Sequence, residues 1–158
     1  MDYTDILTKI RRIIRSVNLE SKRIEKEYGI SIPQLLALNY LKTRNNFQAS
    51  HKEIKDYLQL NASTITGIIS RLEKKGLVAR LPKQNDRRVG MITITARGAE
   101  LLGKTPAALH ERLSIKLQTV APEQLQKLQD SFDTIINFLE IEDLEAAPIF
   151  TDEVNEVK

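Results

Sequence analysis

Apolar residues recur at helical intervals along most of this chain, and one central region breaks the pattern by alternating instead. Ile6, Ile10, Ile13, Ile14, Val17 and Ile24 fall at helical steps. They predict a long helix over 4–28 with one apolar stripe, and Arg11, Arg12, Arg15, Lys22 and Arg23 lie elsewhere around it. Gly29 supplies the stop. Ser31, Pro33 and Gln34 spell a helix start that carries Leu35, Leu36, Leu38 and Leu41 into a core. Arg44 to Ala49 is polar and reads as a loop. Ser50 and Glu53 repeat the capping pattern ahead of a short helix over about 51–58, anchored by Ile54, Tyr57 and Leu58.

Gln59-Leu60-Asn61 is then a tight turn, and Asn61 caps a helix that ends at Gly76. Val78–Leu81 and Met91–Thr95 read as two strands, with Ile92 and Ile94 alternating against Thr93 and Thr95. Pro82 to Arg88 connects them. From Ala96 the pattern predicts a long helix through Leu101, Leu102, Leu109, Leu113 and Leu117, kinked at Pro106. After Pro122, a last helix sets Leu125, Leu128, Phe132, Ile135, Ile136 and Leu139 on one face.

The helix after Asn61 divides cleanly. Ile65, Ile68, Ile69 and Leu72 form an apolar seam that must face the protein. The other side shows Ser63, Thr66, Gly67, Ser70 and Lys74, flanked by Thr64 and Arg71. Small side chains allow the helix backbone close to base edges, hydroxyls bond bases or phosphates, and Arg71 and Lys74 add phosphate contacts. Two short helices joined by a three-residue turn are the arrangement that offers a recognition helix to the major groove. A solvated face rich in Ser and Thr is the bland alternative. The loop that follows weighs against it: Arg87 and Arg88 sit at the tip of a thin arm, with Lys83 and Arg80 along its base. A guanidinium on such an arm suits the negative potential of a minor groove. Asp86 is placed to hold Arg88 extended by a charge-assisted hydrogen bond.

Charge agrees with a polyanionic partner. The chain carries +3 overall, yet residues 139–158 hold seven acids against one lysine, net −6, so the first 138 residues carry +9. At 158 residues with 41% apolar and 28% charged, it reads as one soluble core with helical appendages. The absence of cysteine excludes disulfides, thiolate metal sites and thiol redox sensing by its own side chains. With only His51 and His110 as imidazoles, no metal site is expected. No apolar run approaches a membrane span and the N-terminus lacks the order of a secretory signal, so a cytoplasmic protein without membrane contact is expected.

The segment IKDYLQLNASTITGIISRLEKKGLV at 54–78, followed by NDRRVGMITITARG at 85–98, resembles the MarR family of bacterial transcriptional regulators. The RLEKKGL run and the spacing from Asp86 through Arg88 to Thr95 and Gly98 carry that resemblance. It implies a mainly α fold with a small β-hairpin wing: a winged helix-turn-helix flanked by N- and C-terminal dimerisation helices. The expected divisions are an N-terminal dimerisation helix over 1–30, a DNA-binding lobe over 31–98, C-terminal dimerisation helices over 99–141 and an acidic tail over 142–158. The implied partner is double-stranded DNA with a pseudo-palindromic operator, bound by a homodimer whose half-sites lie about 34 Å apart.

Carried over by position, Arg88 is the wing-tip minor-groove residue and Asp86 its orienting partner. The expected DNA contacts are Asn61, Ser63, Thr64, Thr66, Gly67, Ser70, Arg71, Lys74, Lys83, Asp86, Arg87 and Arg88. Many members carry a long basic or polar residue where this chain has Gly67. That leaves its base contacts open and gives the wing more of the affinity. The resemblance further implies repression relieved by a small-molecule effector. Asn18, Tyr40 and His110 are polar candidates near such a pocket, though each better suits a structural or exposed position.

Catalysis is not expected. The chain has no GxGxxG, P-loop, nucleophile elbow or HExxH pattern, and no cofactor is implied. The alternative function is a winged-helix module for chromosome architecture or protein contacts, without promoter specificity.

Overall fold

The computed structural model describes residues 2–83, 89–144 and 146. The chain forms two compact units, one within Met1–Pro106 and the other within Ala107–Ala146.

The first unit opens with α1 (Tyr3–Tyr28), whose N-terminus is capped by Asp2, with Thr4 N donating to its carboxylate at 2.8 Å. Hydrogen bonding from the Thr4 side chain, and after it from this amide, holds the Asp2 carboxyl below its ordinary pKa. The helix stops at Gly29, which takes φ 68°, a left-handed conformation that costs glycine least. Ser31 then caps α2 (Ile32–Thr43), and the reciprocal bond from Ser31 N to Gln34 Oε1 is present at 3.2 Å. Residues 32–38 are all buried, so α2 is the central helix of the unit rather than an amphipathic one.

Arg44 to Ala49, expected as loop, is more structured. A 3₁₀ turn at Asn45–Phe47 leads into β1 (Gln48–Ser50), a third strand. Asn46 and Phe47 both adopt positive φ, and Thr93 Oγ1 donates to Phe47 O at 3.2 Å. A three-residue strand is too short to display alternation, and its partner lies over forty residues away.

α3 (His51–Leu58) begins from a complete capping box, with Glu53 N donating to Ser50 Oγ at 3.1 Å and Ser50 N to Glu53 Oε2 at 2.7 Å. Ile54 and Leu58 enter the core as expected. Tyr57 does not: it stays 47% exposed and stacks on Tyr40, with ring centroids 4.3 Å apart.

α4 (Ala62–Lys74) follows, then β2 (Val78–Arg80) and β3 (Met91–Ile94). The sheet order is β1-β3-β2, all antiparallel, with Ala49 opposite Ile92 and Ala79 opposite Thr93. The mainly helical architecture with a small hairpin matches the fold expected.

The long helix expected from Ala96 is instead two. α5 (Ala96–Lys104) ends at Thr105, and α6 (Leu109–Leu117) starts three residues after Pro106. A proline disfavours helical backbone at the residue before it, and Thr105 accordingly takes ψ 131°. The break coincides with the boundary between the two units.

At the start of α5, Gly98 N donates to Thr95 Oγ1 at 3.1 Å, while Thr95 Oγ1 donates to Gly76 O at 2.6 Å. Gly98 is obligatory there, because a Cβ would sit 2.2 Å from Leu77 O. In the second unit, α7 (Pro122–Leu139) takes in Pro122 as its first residue and ends at a left-handed Glu140.

The apolar stripes of the terminal helices are largely solvent-facing in the single chain. On α1, Ile6, Ile13 and Ile14 are at least half exposed. On α7, Phe132 and Leu139 are likewise more than half exposed.

Candidate nucleic-acid interface

Two short helices and the turn between them build the candidate interface. The turn forms because Gln59 takes φ 55° and Leu60 drops into the core at 4% exposure. Asn61 then accepts from Thr64 N and from Ser63 Oγ, each at 2.8 Å. One amide oxygen thus satisfies a backbone donor of the first turn and fixes the first hydroxyl of the exposed face.

The division of α4 into seam and face is present. Ile65, Ile68, Ile69 and Leu72 are each at most 1% exposed. Burial of side chains this size contributes about 1.5–3 kcal/mol apiece, enough to hold the helix in one orientation. Asn61, Ser63, Thr66, Arg71 and Lys74 are exposed, and Thr64, Gly67 and Ser70 are half-buried. The eight therefore share the side of the unit opposite its core. Lys83 is exposed beyond β2. Asp86, Arg87 and Arg88 lie outside the described residues.

Two features of the face were not legible in the sequence. His51, the first residue of α3, places Nε2 3.0 Å from Thr66 Oγ1, and Thr66 Oγ1 in turn donates to Ala62 O at 2.9 Å. Nothing in the spacing of His51 and Thr66 announces this contact across two helices. At Gly67, a Cβ would meet only Arg71 Nη1, at 3.6 Å. The arginine folds back toward the space that a side chain at 67 would occupy.

The base of the arm is braced. Arg80 Nε donates to Glu73 Oε2 at 3.1 Å, tying β2 to α4 and partly neutralising a cation expected to face DNA. At the far end of α4, Lys75 Nζ donates to Gly29 O and to Gln34 Oε1, the latter at 3.3 Å. Burial pushes the Lys75 ammonium below its ordinary pKa, against the favourable field of Glu25 and with the repulsion of Arg71.

A pocket of about 360 Å³ opens beside that lysine, lined by Tyr28, Ile30, Lys75, Leu77, Arg97 and Leu101 among others. None of the three polar effector candidates lines it. Tyr40 is engaged by Tyr57 and by Arg44, whose guanidinium carbon lies 5.5 Å from the ring centre. Asn18 is half-buried on α1, and His110 is exposed on α6. Among the described residues no group of three or more acidic or imidazole side chains is arranged for a metal, and no helix is long and apolar enough to cross a membrane.

Comparisons with known proteins bear on this geometry. The MarR family model matches residues 30–89, from the start of α2 to the arm. The transcriptional repressor MprA of Escherichia coli K12 is 28% identical over 127 residues, covering 78% of this chain and 72% of MprA. The organic hydroperoxide resistance transcriptional regulator of Bacillus subtilis is 27% identical over 125 residues, covering 79% of this chain and 82% of that protein. Among solved structures, an S. aureus MepR–DNA complex superposes with a TM-score of 0.60 at 18% identity, covering 87% of this chain and 98% of MepR. The regulator BldR from Sulfolobus solfataricus gives 0.56 at 23% identity, covering 85% and 94%. At these identities the structural likenesses establish the fold alone.

Proposed function

Residues 30–89 belong to the MarR family, and from that premise we propose a homodimeric transcriptional repressor that reads a pseudo-palindromic operator. The chain is a DNA-binding regulator of transcription, as its relatives are. The observation that carries the finer reading is the split of α4: four residues locked into the core hold a face of small and hydroxylated side chains outward. In this reading Asn61, Ser63, Thr64, Thr66, Gly67 and Ser70 approach base edges, and Arg71, Lys74 and Lys83 meet phosphates. Arg87 and Arg88 enter the minor groove, with Asp86 orienting Arg88.

Dimerisation is supported by the exposed stripes of α1 and α7, which a single chain leaves facing water. A twofold pair also gives two half-sites and the interface area that specific recognition needs. Release by a small molecule is supported by the pocket beside Lys75. Its roughly 360 Å³ suits a small ligand, and it touches both the end of α4 and the α1–α2 turn. The protein acts in the cytoplasm, where the DNA is.

The test is a binding competition. A promoter regulator prefers its selected site over bulk DNA by a factor on the order of 10³ or more. A preference near unity identifies an architectural protein, and negligible DNA affinity at any salt identifies a protein-binding module. Arg88→Ala is expected to weaken operator binding while leaving the dimer folded. Unchanged affinity across a salt titration refutes the role given to that residue.

A further inference from the structure

Thr66 stands on the exposed face of α4 with its hydroxyl already committed. Ala62 O can only accept, so the single hydroxyl proton goes to it at 2.9 Å. His51 Nε2, 3.0 Å away, must therefore donate its own proton to a lone pair of Thr66 Oγ1. Donor and acceptor are held from two sides, one on α4 itself and one on α3. The side chain can no longer rotate its hydroxyl toward a partner without breaking both bonds. What it presents is a methyl group and one residual lone pair.

We infer that His51 is a positioning residue that turns Thr66 from a hydrogen-bonding reader into a methyl reader, directed at the C5-methyl of a thymine in each half-site. This inference rests on the DNA-reading role proposed for α4. In the major groove the thymine methyl is the one apolar group a base edge offers, and a threonine methyl is among its natural complements. A hydroxyl free to rotate would instead accept from adenine or cytosine or donate to guanine or thymine, and so discriminate poorly. The imidazole removes that ambiguity. It also couples the two helices of the reading unit at the surface, where neither contributes a core contact.

The experiment starts with selection of an operator from random duplexes by the wild-type protein. Each thymine of the selected half-site is then replaced by deoxyuracil, which deletes only the methyl. Affinities are measured for wild type, Thr66→Ser, Thr66→Val, His51→Phe and His51→Gln. For wild type, one thymine position per half-site should show a loss of about fourfold on deoxyuracil substitution, the worth of one buried methyl group. Thr66→Val, which keeps the methyl, should retain that ratio; Thr66→Ser should abolish it. His51→Phe keeps a ring but no N–H donor and should lower the ratio toward that of Thr66→Ser, whereas His51→Gln, which restores a donor, should recover it.

The thymine-to-deoxyuracil ratio does not respond to a uniform loss of stability or charge, so it separates positioning from general damage. An operator bound selectively but with no methyl-sensitive position lost in Thr66→Ser overturns the inference. So does a ratio unchanged in His51→Phe. Should His51→Phe fail to fold, the Ser and Val variants still decide the methyl role, and a His51→Gln ratio as low as that of Thr66→Ser refutes the positioning role. Failure of the wild-type protein to select any consensus refutes instead the DNA-reading role on which the inference rests.

Discussion

Replacing Gly98 with alanine tests the way α5 is seated on the sheet. A Cβ built there lies 2.2 Å from Leu77 O, 2.8 Å from Ile94 Cγ1 and 3.2 Å from Leu77 C. Carbon–oxygen contacts at rest are well over 3 Å, so the first turn of α5 must withdraw from β2 by roughly 1 Å. Withdrawal stretches the bonds from Thr95 N to Leu77 O, now 3.1 Å, and from Thr95 Oγ1 to Gly76 O, now 2.6 Å. Overpacking of this kind costs about 1–3 kcal/mol and each weakened hydrogen bond up to about 1 kcal/mol more. Alanine returns up to about 1 kcal/mol through its helix propensity, leaving a net loss of about 2–3 kcal/mol.

The assay is urea unfolding at one fixed protein concentration, since the stability of the proposed dimer depends on concentration. With a slope on the order of 2 kcal/mol per molar, the midpoint should fall by about 1 M. Gly103, in the same helix, is the control, because a Cβ there meets nothing within 4 Å. Gly103→Ala should raise stability by about 0.5–1 kcal/mol. A Gly98→Ala protein as stable as wild type, or two alanine variants that shift the same way, refutes the reasoning.

Three further outcomes are expected. Ile14→Asp places a charge in the half-exposed stripe of α1 and should yield a folded monomer in sedimentation velocity; a dimer that persists removes that stripe from the interface. Gly67→Ala introduces a Cβ whose only near neighbour, Arg71 Nη1, lies at an ordinary 3.6 Å, so thermal melting should show a gain of about 0.5–1 kcal/mol, and a loss contradicts the open space. Lys75 has its folded-state pKa pushed down by burial, so between that lowered value and the ordinary lysine pKa the unfolded chain binds more protons and stability rises with pH. The difference in urea midpoint between wild type and Lys75→Met should therefore grow more favourable to wild type from neutral to alkaline pH; a flat difference shows that the shift is absent.

The local signals in the sequence were strong wherever backbone chemistry is self-contained. Ser31 with Gln34, Ser50 with Glu53, Asn61 and Gly29 all cap the helices their spacing announces, because those bonds close within four residues. The seam of α4 was equally plain, since a 3.6-residue period leaves four isoleucines and leucines no other side to face. What escaped depends on distant partners. β1 exists through pairing with β3, and Tyr57 leaves the core for a stack on Tyr40 contributed by another helix. Likewise the His51–Thr66 contact joins residues whose types are individually unremarkable. Pro106 on its own suggests a kink, yet the restriction it imposes on Thr105 ends α5 outright.

Ser50 belongs to two structures at once: it stands opposite Met91 in the sheet, and its side chain and amide close the capping box of α3. This sets a rule for how the gene can drift in length. One codon inserted between Phe47 and Ser50 leaves the capping box holding Ser50 in place, so the residues before the insertion slip by one position against β3 and reverse their faces. Between Leu81 and Met91 the described residues impose no such phase, for among them pairing ends with the bond from Leu81 N to Met91 O. Insertions and deletions should accumulate in the second interval and be purged from the first. Arms of different reach are thus exchangeable on this scaffold, whereas the four residues that lead into α3 must be transplanted as a block.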